Sequence, residues 1–350
     1  MIPLRRFNYE SLQKFMMPME TVNLIAKINE YKGKQDLYKQ QAPQILETLR
    51  NTAVIQSTKA SNAIEGIIIT DKRLKSILED NTDLQDRSEG EIAGYRDVLQ
   101  LIHSSYDAIP IKNSVILQLH KELYRYIHIE GGNWKNADNV ISETLPDGMK
   151  RIRFQPLSAF ETPQAMQELC AALNERMIKE DVESLVVIAV FILDFLSIHP
   201  FNDGNGRMAR LLTLLLLYQS GFEVGRFISL EKIIEDSKVM YYETLRQSSI
   251  EWHEGTNNII PWINYLLGTI VAAYKDLESR VGIVETQKGG KSERVSSFIE
   301  KKIGYFTKSE IRNACPDISE STINRVLNDL KAQGTIESVG LGRNAKWKKI

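Results

Sequence analysis

The sequence predicts a mainly α protein: a helical body interrupted by one β-hairpin, followed by a small winged helix-turn-helix domain. Three observations carry that prediction. Apolar residues recur at helical spacing through most of the first 280 positions. One stretch, 131–156, changes to glycine-punctuated, strand-like sequence. The last 60 or so residues then run helix, helix, helix and β-ribbon.

In chain order, residues 1–100 read as helical with acidic and polar breaks. Ala42 to Ala63 is one helix, ended near Gly66, and the β-branched run Ile67-Ile68-Ile69-Thr70 separates it from a pattern over Asp71 to Glu79. Residues 88–104 open on the capping-type Ser88 and continue with helical spacing. Ile111 to Ile127 follows, with Val115, Ile116, Leu119 and Leu123 on one stripe. The hairpin has its turn near Pro146-Asp147-Gly148, and the edge of a lone hairpin can accept a guest strand. Helices resume over Gln164–Lys179, Val182–Ser197, Asn205–Gln219 (stopped at Gly221), Lys238–Ser249 and Ile260–Glu278. Gln287 to Ser292 has linker composition. Val295–Ile303, Thr307–Asn313 and Ser319–Gln333 are the tail helices, and Thr335–Val339 and Asn344–Lys349 the ribbon around Gly340-Leu341-Gly342-Arg343. The expected domain limits are 1–105, 106–282, a linker at 283–292, and 293–350.

Composition narrows the function classes. The chain has 350 residues, 43% hydrophobic and 25% charged, with a net charge of −1, so nothing global points to nucleic acid or an anionic membrane. From Lys291 onward, however, 12 Lys and Arg face 7 Asp and Glu, a net of +5 on an otherwise acidic chain. Two cysteines, Cys170 and Cys315, form no disulfide framework and no metal-ligand spacing, which favours a reducing cytoplasmic location. No signal peptide is expected after Met1. The apolar runs Leu185–Ile198 and Leu211–Tyr218 are shorter than the ~18–20 residues of a membrane span, so no membrane association is expected.

The chemistry gathers in His199-Pro200-Phe201-Asn202-Asp203-Gly204-Asn205-Gly206-Arg207-Met208-Ala209-Arg210. A buried helix is broken at His199-Pro200. A glycine-rich loop then leads straight into another helix, whose first turn offers unpaired N–H groups and a positive dipole end to a phosphate. Arg207 and Arg210 are three apart, which places them on one face of that turn, and two guanidinium forks beside free amides suit a polyphosphate. Asp203 supplies one carboxylate, enough to help hold Mg²⁺ when phosphates and water complete the shell. His199 supplies an imidazole able to take a proton from a hydroxyl near neutral pH.

This segment matches the Fic family pattern HPFx(D/E)GNGRxxR at every defined position, and residues 110–270 resemble a Fic core around it. The resemblance implies transfer of AMP from ATP to a hydroxyl of a target protein. It casts His199 as base, Asp203 as Mg²⁺ ligand, and Gly204, Asn205 and Gly206 as the cradle for the α- and β-phosphates. Arg207 is given the β-phosphate and Arg210 the γ-phosphate. Asn139, Val140, Ile141 and Ser142 would form the flap that holds the target segment, and Tyr241, Tyr242 and Ser249 would line the nucleoside pocket. Relatives that transfer phosphate instead carry Lys at the second glycine, and here Gly206 is intact. Ser61-Asn62-Ala63-Ile64-Glu65-Gly66 resembles the family's inhibitory signature (S/T)xxxE(G/N), which implies that Glu65 occupies the Arg210 fork and misdirects ATP.

The competing expectation places function in the tail. Thr322, Asn324 and Arg325 would head a recognition helix, and Arg343, Lys346, Lys348 and Lys349 would contact phosphates from the wing, with DNA or another protein as partner. A homodimer is compatible with the sequence.

Overall fold

The computed structural model describes residues 7, 9–78, 83–144, 149–285, 290–302, 305–316, 318–339 and 346–349. Helix α1 (Met19–Gln41) meets α2 (Pro43–Ile64) across one residue, because Pro43 lacks the N–H that a continuous helix would use. Gly66, at φ +86°, ends α2: its N–H goes to the Ala63 carbonyl and that of Ile67 to Asn62, both at 3.0 Å. That closure leaves the Glu65 side chain at the helix tip. Helix α3 (Asp71–Leu78) follows, then α4 (Arg87–Ser105), whose cap Asp86 accepts the Glu89 N–H at 2.9 Å.

Helix α5 (Asn113–Leu123) is shorter than the expected Ile111–Ile127, since the chain turns at Tyr124. A side chain at Gly94 would strike the Leu123 carbonyl, so the glycine is what lets α4 lie against the end of α5. Strands β1 (Ile141–Thr144) and β2 (Lys150–Phe154) pair antiparallel, Ser142 opposite Ile152. The expected turn at Pro146–Gly148 lies outside the described residues. The hairpin is also shorter than the expected 131–156, because Lys135 and Asn139 bond to another loop, described below, and not to a partner strand.

Helices α6 (Thr162–Lys179), α7 (Ser184–Ile198) and α8 (Asn205–Gln219) come next. Every residue of α7 after Ser184 is buried, as its nearly unbroken apolar sequence requires. Helix α9 (Leu230–Asp236), which the sequence reading passed over, starts at the cap Ser229, whose Oγ accepts the Lys232 N–H at 3.0 Å. Helices α10 (Lys238–Ser249) and α11 (Ile260–Glu285) complete the body. Helix α11 runs past the expected Glu278; Arg280 pairs with Asp276 at 2.8 Å and Val281 is fully buried. One continuous apolar core extends from Phe7 to Val281 around α7 and α8.

Beyond α11, α12 (Lys291–Lys301) begins after Gly290, so the break between helices is narrower than the expected 283–292. Strand β3 (Phe306–Thr307), α13 (Lys308–Ala314), α14 (Glu320–Ala332), β4 (Ile336–Val339) and β5 (Lys346–Lys349) follow. Thr307 caps α13 in a reciprocal capping box with Glu310, as its sequence suggests, but it also ends β3, a strand the sequence reading did not include. The sheet order is β3-β5-β4. This block has its own core, including Val295, Phe306, Ile323, Leu327 and Trp347. Of its expected nucleic-acid contacts, Arg325 donates to Ser292, Lys348 pairs with Glu337 and Lys349 donates to the Glu300 carbonyl. Arg343 lies outside the described residues. No described helix is long and apolar enough to cross a membrane.

Candidate functional site

The loop between α7 and α8 is built from its own side chains. His199 ends α7 in the left-handed region, φ +52°, with its N–H on the Phe195 carbonyl at 3.0 Å. Phe201 is fully buried and stacks on the His120 ring, centroids 3.7 Å apart. Asn205 Oδ1 accepts the Phe201 N–H at 2.9 Å and its Nδ2 donates to the Phe201 carbonyl at 2.8 Å. The Asn205 side chain therefore locks the loop, and what it can offer a phosphate is its backbone N–H. Gly204, at φ +82°, is pressed against Tyr124, where a Cβ would lie 2.9 Å from the hydroxyl. His120 fixes the same turn: its Nδ1 accepts the Gly132 N–H at 2.9 Å and its Nε2 donates to the Asp203 carbonyl at 3.1 Å.

This loop opens onto a cleft of about 840 Å³. His199, Gly206 and Arg210 line its floor, Val140, Ile141 and Ser142 of the hairpin line one wall, and Tyr241, Tyr242 and Ser249 of α10 another. Asn139 was grouped with the flap by sequence, but its amide points the other way, donating to the His199 and Phe201 carbonyls at 3.2 Å each. The Ser249 hydroxyl is likewise turned back, donating to the Leu245 carbonyl at 2.7 Å. Glu65 enters the cleft from the tip of α2.

The two arginines do not converge as their spacing suggested. Arg210 faces α2: Nε donates to Ser61 Oγ at 2.8 Å, Nη2 to the Ser61 carbonyl at 2.9 Å and to Glu65 Oε1 at 2.7 Å. Arg207 faces away from the cleft, toward α4 and α5, with Nη1 2.5 Å from Glu91 Oε2 and Nη2 donating to the Tyr124 hydroxyl at 3.0 Å. Its guanidinium is almost fully buried and absent from the cleft lining. Side chains three apart on a helix diverge by about 60°, and here a different glutamate captures each one. Glu65 also crowds Gly206, since any Cβ there would collide with Glu65 Oε1. Lys238 donates to the Ile64 carbonyl at 2.6 Å and so ties the end of α2 to the cleft wall.

His199 is held neutral. Its Nδ1 lies 3.2 Å from the Leu196 carbonyl; a carbonyl oxygen only accepts, so Nδ1 carries the proton and Nε2 keeps its lone pair. Burial lowers its pKa from the ordinary imidazole value to about 4, and the nearby Lys135 ammonium adds to the effect.

Asp203 is half exposed at the start of α8; Oδ1 accepts the Gly204 N–H at 2.6 Å and Oδ2 the Arg87 guanidinium at 2.8 Å. The described residues contain no cluster of three or more His, Cys, Asp or Glu able to hold a metal. A single accessible carboxylate suits a Mg²⁺ that takes its other ligands from phosphates and water. The sequence reading did not single out Lys135, Arg87, Glu91 or Lys238. Their only sequence signal is a charged residue at a helix start or in a glycine-rich loop, which ordinarily marks a solvated face.

Comparison with known proteins places part of the chain beside one family. Residues 110–217 match the model of the Fic/DOC family. The protein adenylyltransferase Fic of Nematostella vectensis is 27% identical over 210 residues, which cover 56% of this chain and 44% of that protein. The protein of the same name from Drosophila erecta is 28% identical over 182 residues, 51% of this chain and 34% of that one. The chain thus spans less than half the length of these relatives. Among solved structures, a Fic family protein from Desulfovibrio desulfuricans superposes with a TM-score of 0.60 at 19% identity, covering 96% of this chain and 97% of that one. A Fic domain containing signaling protein from Bacteroides thetaiotaomicron gives a TM-score of 0.62 at 21% identity, covering 75% of this chain and 100% of that one. At these identities the likeness is one of fold.

Proposed function

We propose that the chain, whose residues 110–217 match the Fic/DOC family model, is a protein adenylyltransferase that moves AMP from ATP to a hydroxyl of a target protein and is held in check by Glu65. The observation that carries this reading is convergence: His199, Gly206 and Arg210 share one cleft, and Glu65 sits on the arginine within it.

In this reading the first amides of α8 cradle the phosphates and Arg210 receives the γ-phosphate once Glu65 gives way. The flap holds an extended target segment along β1, whose outer edge has no strand neighbour among the described residues. His199 Nε2 takes the proton of the target hydroxyl as its oxygen bonds to the α-phosphorus. The bond from that phosphorus to the β-phosphate bridge breaks, and pyrophosphate leaves. Asp203 would hold Mg²⁺, which when bound supplies charge neutralisation along the phosphates. Tyr241 and Tyr242 border the nucleoside, while Arg207 stays with Glu91 as part of the frame. Positioning and charge neutralisation supply the rate.

The test is incubation of the full chain and a cell lysate with ATP labelled at the α- or the γ-phosphate. The expected outcome is protein-bound label from the α-position only, lost in His199→Ala. Label retained from the γ-position, or transfer persisting without His199, overturns the reading.

A further inference from the structure

The segment between Gly132 and the flap is not strand, and its Lys135 and Asn139 side chains are committed to the loop that carries His199. The Lys135 N–H donates to the Pro200 carbonyl at 2.8 Å, and its ammonium donates to the Ile198 carbonyl at 3.0 Å and to Asn139 Oδ1 at 2.8 Å. Asn139, oriented by that last bond, donates to the His199 and Phe201 carbonyls. Four consecutive carbonyls, 198 to 201, are thereby received by two residues.

Lys135 is only 3% exposed. A buried ammonium is costly unless something specific holds it, and this one is spent on neutral acceptors, with Asp138 and Glu161 acting only at a distance. It stands where the last carbonyls of α7 gather negative potential, at the end of a helix buried along its whole length. The backbone it grips is also the unusual one. A left-handed residue other than glycine costs on the order of 1–2 kcal/mol and persists only when its surroundings over-determine it.

We propose that Lys135, acting with Asn139, is a positioning residue for the transfer reaction: the pair holds the His199 backbone left-handed and so aims the imidazole at the hydroxyl. The inference rests on His199 being the base. It makes Lys135 matter to the chemical step while leaving nucleotide binding alone, since neither Lys135 nor Asn139 lines the cleft.

The experiment uses the full chain in a Glu65→Gly background, with steady-state transfer, ATP titration calorimetry and thermal melts on each variant. Lys135→Met and Asn139→Ala are expected to lower kcat by about 100-fold, the scale of a misplaced reacting group. KM and the calorimetric affinity for ATP should stay within about 2-fold. Lys135→Arg, which keeps a cationic donor, should recover most of kcat. Should Lys135→Met fail to fold, Asn139→Ala carries the same prediction by itself. A wild-type kcat in folded Lys135→Met or Asn139→Ala, or loss of ATP affinity in step with kcat, overturns the inference. So does a folded Lys135→Arg no better than Lys135→Met. His199→Ala, run in parallel, separates the two levels: full loss there beside a wild-type kcat in Lys135→Met sinks this inference alone, whereas activity without His199 sinks the adenylyltransferase reading with it.

Discussion

Arg207 and Arg210 stand one turn apart on the same helix, each against a glutamate from the N-terminal region, yet the two ion pairs are built differently. Arg207 and Glu91 are both almost fully buried, whereas Glu65 is about one-third exposed and its pair with Arg210 forms part of the cleft wall. A buried pair cannot be exchanged for solvent or ligand without stranding a charge. A pair at the edge of a cleft can trade its carboxylate for a phosphate of the same sign. Both arginines are buried; what differs is the carboxylate partner, Glu65 being exposed to the cleft and Glu91 not.

The comparison breaks first at Glu91. Glu91→Ala leaves the buried Arg207 charge with only the half-exposed Asp203 carboxylate, 3.7 Å away, and should cost roughly 3 kcal/mol, read as a large drop in melting temperature. A variant that melts with the wild type would make Arg207 as exchangeable as Arg210. Glu65→Gly should do the opposite, with little change in melting but about 10-fold or more self-labelling from labelled ATP, within the usual range of coupling between sites. No gain of label would remove the brake. Ser61→Ala sharpens the contrast, since it removes one charge-assisted hydrogen bond to Arg210 of roughly 1.5–3 kcal/mol gross. It should raise labelling by a few-fold, less than Glu65→Gly does. The smallest effect expected is a negative one. With the His199 pKa held near 4, the base of the free enzyme stays unprotonated as pH falls, and protonation sets in only on approaching pH 4. The pH profile of kcat/KM should therefore stay level down to about pH 5.5, where an ordinary imidazole would be roughly nine-tenths protonated. A fall centred near pH 6.5 would show a histidine exposed to water.

Much of this site is legible from the motif because its parts are local. The break at His199-Pro200, the glycine turn and the helix start follow from neighbouring residues, and the structure places them together. The left-handed closure of α2 at Gly66 is legible for the same reason, whereas the contact of Ser61 and Glu65 with Arg210, 145 residues beyond Glu65, was expected only from the family resemblance. What escaped was long-range. Lys135 lies 63 residues before the carbonyl it caps, in a stretch that glycines and alternating residues make look like strand. Glu91 reads as an ordinary acidic residue early in a helix until Gly94 allows α4 to dock on α5. Helix α9 was passed over although Ser229 is a sound cap, because seven residues give too short an apolar period to stand out. Arg207 turns toward Glu91 and Tyr124, which its spacing does not reveal, because helical spacing fixes an angle and says nothing of which neighbour claims the side chain.

The glycine at 206 touches more than the phosphate cradle. A Cβ at 206 would collide with Glu65 Oε1, the far end of a flexible side chain, so even a methyl there would push the Glu65 carboxylate off its bond to Arg210. Substitutions at these two sites, in segments far apart along the chain, are therefore coupled: a methyl at 206 acts through the Glu65–Arg210 pair, and its effect changes once residue 65 has shrunk.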